Sequence, residues 1–185
     1  MSRVLLPLAN GFEDVEAIAV VDVLRRGGVE VVTASIHDER IVRSARGIRM
    51  EADALFADAK DDSYDAIVLP GGGEGTENLK RSESVAERLR RQRDEERLIC
   101  AICAAPTVLE HAGVLGKKTE VTCYPTCRDE LNRPWVSAPV VADGSVITGQ
   151  APGSALLFAL VVLQALAGRQ VAHDVARGMV TDVLD

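Results

Sequence analysis

The sequence predicts a doubly wound α/β sandwich, with a mostly parallel central sheet and helices on both faces. Three observations predict it. Runs rich in Val, Ile and Leu recur at residues 4–8, 29–34, 66–69 and 98–102. Each has the length of a strand and is apolar at consecutive positions, the pattern of a strand buried on both faces. Longer stretches with helical spacing lie between them, which is the βαβ rhythm of parallel pairing.

After the first run, residues 13–26 form a helical pattern with Val20, Val23 and Leu24 on its apolar side, closed by Gly27-Gly28. Residues 41–51 alternate more loosely and suit a small antiparallel ribbon. A glycine turn, Pro70-Gly71-Gly72-Gly73, follows the third strand, and residues 82–95 read as a helix in which Ser84 and Glu87 have capping-box spacing. Pro106, just past the fourth strand, is suited to the first turn of a helix. Residues 140–148 fit a hairpin turning at Asp143-Gly144. The stretch 153–167 is almost entirely Ala, Leu and Val, so this helix is buried around most of its circumference, and a last helix begins near Gln170.

Composition narrows the function. The 185 residues suit a single domain, 1–185, and 47% hydrophobic residues supply a continuous core, which argues against intrinsic disorder. A net charge of −7 with 3% aromatics leaves neither a basic stripe nor a stacking platform, so nucleic acid is not expected as the primary partner. The apolar N-terminal run is too short for a signal peptide and no segment matches a membrane span, so a cytoplasmic protein without membrane association is expected. Four cysteines in that setting are reduced thiols that serve packing, metal binding or chemistry.

Cys103 stands out among them. It lies between an apolar strand and the helix opened by Pro106, and small residues at 101, 104 and 105 keep its approach open. Backbone N–H groups at such an elbow favour negative charge, so a thiol there is expected to ionise more readily. Cys100, inside the strand, reads as a packed core thiol. The glycine turn after residue 69 offers bare N–H groups for an oxyanion, although the Gly-Lys-Ser/Thr of a P-loop does not follow.

On a helical wheel of residues 13–26, Asp14, Asp22, Arg25 and Arg26 share the polar side, while Glu16 joins Val20, Val23 and Leu24 on the apolar side. A carboxyl aimed into the core tends to keep its proton and can donate a hydrogen bond to a thiolate, provided Cys103 is near. Ile18 and Val21 fall near the polar face, which suggests a second burial, between two copies of the chain.

Cys100-x2-Cys103-x19-Cys123-x3-Cys127 lies within reach of zinc-ribbon spacing. Zinc-ribbon pairs sit on turns of small polar domains, whereas Cys100 and Cys103 flank an apolar strand end, so no metal site is expected. A thioredoxin-type pair normally opens a helix after an early strand, and this pair comes past the midpoint of the chain. His37, His111 and His173 fall in a polar loop, at a helix end and in the last helix, without a motif that makes any of them a catalytic base.

In this order and spacing, Glu13-Asp14-Val15-Glu16, Leu69-Pro70-Gly71-Gly72, Ala101-Ile102-Cys103-Ala104-Ala105-Pro106 and Gln150-Ala151-Pro152-Gly153 closely resemble the ThiJ/PfpI superfamily over nearly the whole chain. Within it they are most similar to the YajL-like branch, close to the protein deglycases. The resemblance implies a flavodoxin-like sandwich, a homodimer, no cofactor, and a role in oxidative and carbonyl stress. It also implies Cys103 as the nucleophile and oxidation-prone cysteine, Glu16 as its protonated hydrogen-bond partner, and Gly72 and Ala104 as backbone donors. Arg46 would line an anion pocket near the thiol, with Asp22 and Arg26 near the dimer contact. One position departs from the deglycases, which carry a histidine before the proline where this chain has Tyr124 before Pro125. A phenol ionises well above neutral pH and is a poor base, so any proton transfer would use Glu16, water or the substrate.

Two functions are therefore expected to compete. The first is a cofactor-free deglycase or glyoxalase-like enzyme acting on small dicarbonyls, or on glycated protein and nucleotide groups, through Cys103. The second is a non-enzymatic oxidation sensor or redox-regulated chaperone that uses the same cysteine.

Overall fold

The computed structural model describes residues 1–184. The chain runs β1 (Arg3–Leu8), α1 (Asp14–Arg26), β2 (Glu30–Ser35), β3 (Ile41–Arg43), β4 (Arg49–Glu51), β5 (Ala54–Leu55), α2 (Phe56–Ala59), β6 (Ala66–Leu69), α3 (Gly73–Arg81), α4 (Glu83–Asp94), β7 (Leu98–Ile102), α5 (Pro106–Ala112), β8 (Val140–Asp143), β9 (Val146–Gly149), α6 (Ala155–Ala167) and α7 (Arg169–Gly178). The central sheet has the order β5-β2-β1-β6-β7-β9-β8. All its neighbours are parallel except the β8–β9 hairpin. β3 and β4 pair separately as the antiparallel ribbon that the alternation of residues 41–51 predicts.

The apolar runs are strands because every side chain on them has a core to enter. Along β1, Val4, Leu6 and Leu8 enter the layer beneath α1, α6 and α7, while Leu5 enters the layer beneath α3, α4 and α5. β7 divides likewise, with Cys100 and Ile102 on one side and Ile99 and Ala101 on the other. A fully buried side chain of this size contributes about 1.5–3 kcal/mol, so continuous apolar strands need helices on both faces. α6 exposes only Gln164 and Ala165, as its composition predicts. Among the described residues no helix is long and apolar enough to cross a membrane.

Three expectations need correction. The cap of α4 is Ser82, whose side chain accepts from Val85 N at 3.4 Å, so the box proposed for Ser84 and Glu87 lies two residues too late. Asp14 does not join the polar face of α1: it is buried, accepting hydrogen bonds from Ser44 Oγ and from Arg46 N. A wheel cannot see this, because the ribbon that covers Asp14 comes from thirty residues further along. Val21 leans against the core, and the exposed apolar residues of α1 are Val15 and Ile18, each about half exposed (54% and 51%).

The order of the sheet decides where a site can form. From β1 the chain moves outward to β2 and β5, then returns to place β6 on the other side of β1. The helices that follow β1 and β6 therefore pack on opposite faces of the sheet, and the crevice at this reversal is where doubly wound sheets hold their ligands.

Candidate active site

Three carboxyl-end loops of the sheet meet at this crevice. α1, after β1, carries Glu16; the turn after β6 carries Gly71 and Gly72; and the elbow after β7 carries Cys103. Glu16 is fully buried (0% exposed), and Gly71 N donates to its Oε2 at 2.7 Å. Its Oε1 is sealed from solvent without a nitrogen or oxygen partner, and the carboxyl lies against the Cys103 thiol.

The elbow is strained and pinned. Cys103 has φ = 65°, a left-handed conformation that costs a residue with a Cβ about 1–2 kcal/mol. Its neighbours hold it there: Cys103 N donates to Gly149 O at 2.9 Å, and Tyr124 N donates to Cys103 O at 2.7 Å. The effect is to lift the side chain out of the strand and aim it back at Glu16 and Gly71.

Two glycines make room for this. A Cβ on Gly71 would lie 2.7 Å from Cys103 Cβ and 2.8 Å from Glu16 Oε2. Gly72 has φ = 93° and backs directly onto Gly11 O, so a side chain there meets both strain and a backbone wall. The close approach brings the N–H groups of Gly72 and Ala104 near the Cys103 sulfur, where they favour its charged form.

The electrostatics of the pair follow from burial. Burial lifts the Glu16 carboxyl to about 7, opposed by the Gly71 N–H and the contact with Cys103. Burial pushes the Cys103 thiol up as well, to about 12, reinforced by the negative charge of ionised Glu16 and opposed by the N–H groups of Gly72 and Ala104. The elbow alone therefore does not make the thiol acidic, which corrects the expectation drawn from its position at a helix start. Thiol and carboxyl form one coupled unit: a proton held on Glu16 removes the repulsion and leaves the two N–H donors to stabilise a thiolate.

The remaining predicted residues are spread more widely. The Arg46 side chain is 74% exposed and reaches Glu13 at 3.9 Å, while its backbone is fixed by Asp14. It borders a groove of about 590 Å³ shared with Asn10, Gly11, Arg43 and Glu74. Asp22 and Arg26 pair with each other at 2.8 Å along α1, on the same helix as exposed Ile18. Cys100 is fully buried, which pushes its thiol far up. Cys123 and Cys127 pack in the layer opposite the one that holds Cys103. Among the described residues no group of three or more His, Cys, Asp or Glu side chains gathers as a metal would require. Sequence reasoning missed Gly71 as the donor that orients Glu16, and missed the backbones of Gly149 and Tyr124 as the clamps on the elbow. Gly71 was findable, as the first glycine after a strand; the clamps were not, because they act through main-chain atoms that every residue has.

A buried acid facing a thiol on a strained elbow, at the switch point of a parallel sheet, defines a cysteine-centred α/β sandwich protein. The chain belongs to the DJ-1/PfpI family, whose model matches residues 2–165. It is 39% identical over 178 residues to protein dj-1beta of Drosophila melanogaster, covering 95% of each chain. It is 34% identical to the glutathione-independent glyoxalase DJR-1.2 of Caenorhabditis elegans, over 94% of this chain and 92% of that one. Against protein DJ-1 homolog B of Arabidopsis thaliana the identity is 36% over 96% of this chain, which spans only 41% of that longer relative. The crystal structure of Drosophila DJ-1beta superposes with a TM-score of 0.94 at 38% identity, covering 98% of this chain and 99% of that one, so the sandwich is of the DJ-1, flavodoxin-like kind. Oxidized DJ-1 of Toxoplasma gondii superposes at 0.93 with 34% identity, over 98% of this chain and all of that one.

Proposed function

We propose that this DJ-1-like stress protein is a cofactor-free cysteine enzyme that acts on small 2-oxoaldehydes, and on their early adducts with protein or nucleotide groups. The observation that carries the reading is a fully buried carboxyl, Glu16, brought against Cys103 at the glycine turn after β6. The Cys103 thiolate adds to the aldehyde carbon, forming the C–S bond, and the carbonyl electron pair moves onto oxygen. The N–H groups of Gly72 and Ala104 take that oxyanion and Glu16 supplies its proton, which gives a hemithioacetal. Glu16, now a carboxylate, accepts the proton of the former aldehyde carbon and returns it to the neighbouring carbon, and water cleaves the resulting thioester to a 2-hydroxy acid. Glu16 thus does the work of a histidine at the Tyr124 position. The C. elegans relative named as a glutathione-independent glyoxalase supports this chemistry.

Methylglyoxal consumption and lactate formation at neutral pH test it, in buffer free of amines and thiols, with Cys103→Ser beside the wild type. Cys103-dependent lactate is expected, and lactate at the same rate in the variant overturns the reading.

Oxidation sensing by the same cysteine is the second reading, favoured by the oxidized Toxoplasma relative. A sulfinate on Cys103 would accept from Glu16 and from the two N–H groups. Intact mass after mild peroxide should show added oxygen on the wild type that Cys103→Ser lacks. The reading extends to a cytoplasmic homodimer, a reducing setting that suits four free thiols. Val15 and Ile18 would be covered by a second copy, with Asp22 and Arg26 at the margin and Arg46 beside the anion pocket. Light scattering is expected to give about twice 19.8 kDa for the wild type and a monomer for Ile18→Glu.

A further inference from the structure

Away from Cys103, a second ionisable group is buried with no partner to meet it. Arg88, on α4, is 3% exposed, and its Nε, Nη1 and Nη2 are all sealed from solvent without a hydrogen-bond acceptor. A guanidinium cannot relieve burial by losing its proton, so it needs an acceptor. It stacks over the Tyr64 ring at 5.6 Å, and Arg3 lies over the same ring at 4.7 Å, but the ring offers a π cloud and no lone-pair acceptor for the five N–H donors. Glu95 acts on Arg88 only through space, and is itself engaged by Arg91 at 2.8 Å and Arg97 at 3.4 Å.

The acceptor has a place to sit. Arg88 lines a cavity of about 80 Å³ with Lys60, Asp61, Ser84, Glu87 and Arg91. Ser84, Arg88 and Arg91 follow one another at helical spacing and so share one face of α4. Arg91 is fixed at the rim by Glu95 and by the bond from its Nη1 to Asp61 O at 3.1 Å. Lys60, Arg88 and Arg91 face Asp61 and Glu87, and Glu95 already pairs with Arg91, so the charges balance and a modest affinity rests on the unpartnered Arg88. The volume holds one tetrahedral oxyanion and is far below the roughly 300 Å³ or more of a pocket for a drug-sized molecule. Tyr64 precedes β6 and α4 leads into β7, so the cavity lies at the amino ends of the strands whose carboxyl ends carry the Cys103 site.

We propose that this cavity binds a single tetrahedral oxyanion, as free phosphate or as the terminal phosphoryl group of a small ester, with Arg88 at its floor and Lys60 and Ser84 at its rim. A small rotation of the long Arg88 side chain turns its fork toward the ion, which supplies the missing acceptors.

Calorimetric titration with inorganic phosphate, in chloride buffer of matched ionic strength, tests the site. Saturable binding near about 1 mM is expected for the wild type, weakened about tenfold in Lys60→Ala and Ser84→Ala and lost in Arg88→Met. The rim variants replace partly exposed side chains and keep the test valid should Arg88→Met misfold. A parallel titration with glycerol 3-phosphate separates the sources: binding equal to phosphate supports an ester terminus, and phosphate alone supports the free ion. No saturable binding to the wild type, or binding unchanged in all three variants, overturns the proposal.

Discussion

At the carboxyl ends of β6 and β7 the molecule buries an acid beside a thiol; near their amino ends it buries a guanidinium against a phenol ring. Both groups are removed from water, and burial opposes the charged form of each. The outcomes differ because the groups differ. Glu16 escapes the penalty by holding its proton near neutral pH, and the Gly71 N–H fixes which oxygen faces the main chain. Arg88 has no such escape and stays charged. Burial of an acid thus yields a proton donor that can be spent in chemistry, while burial of a guanidinium yields a standing demand for an anion.

The largest effect expected from breaking this contrast is at Cys103. Cys103→Ser should lower lactate formation by about 10³-fold or more with the fold intact, because the N–H donors and Glu16 have no thiolate to serve. Single-turnover assays and circular dichroism check both halves.

Glu16→Gln is next, at about 10²-fold in turnover, because the amide keeps the size of the carboxyl but moves no proton. The same variant separates charge from shape in stability. Between the ordinary carboxyl value of 4.5 and about 7, folded Glu16 binds a proton that the unfolded chain has lost. Its contribution is therefore fully present below pH 4.5 and is lost as pH rises through 7, to a total of about 3 kcal/mol. Urea melts at pH 5 and pH 8 should show this decline in the wild type and a flatter profile in Glu16→Gln.

Gly71→Ala should cost about 1–3 kcal/mol and impair turnover, since its Cβ would crowd both Cys103 and Glu16. Gly73→Ala, where a Cβ meets nothing within 4 Å, should be close to neutral by the same melts. The smallest effect is expected at the other end of the sheet. Arg88→Met in phosphate-free buffer should stay within about 1 kcal/mol of the wild type or exceed it, because it removes an unpaired buried charge and keeps the bulk. Thermal melts check this, and a large loss would mean that Arg88 is held by more than the Tyr64 ring.

Much of the sandwich was legible because its signals are local. Four apolar runs, the glycines after α1 and the proline opening α5 state their roles within a few residues of themselves. The short elements are different. β5 has two residues and α2 four, too few to show any period, and β5 is defined only by its pairing with Ala34 and Ser35 of β2. Glu16 was legible as an inward carboxyl, whereas Asp14, two residues earlier, was misread as polar surface: its partner Ser44 lies on the ribbon, and no helical wheel contains the ribbon. Arg88 was invisible for a related reason, since an arginine on an amphipathic helix reads as solvated until Tyr64 is placed beneath it.

The sequence by itself determined the layers, the parallel sheet, the elbow cysteine and the inward acid, because periodicity and turn chemistry are set by neighbours in the chain. Only the tertiary structure decided that Gly71 orients Glu16, that Gly149 and Tyr124 hold Cys103 at a positive φ, and that Arg88 is left without an acceptor. Each depends on atoms 20 to 55 residues apart, whose approach is dictated by how the sheet is ordered and packed.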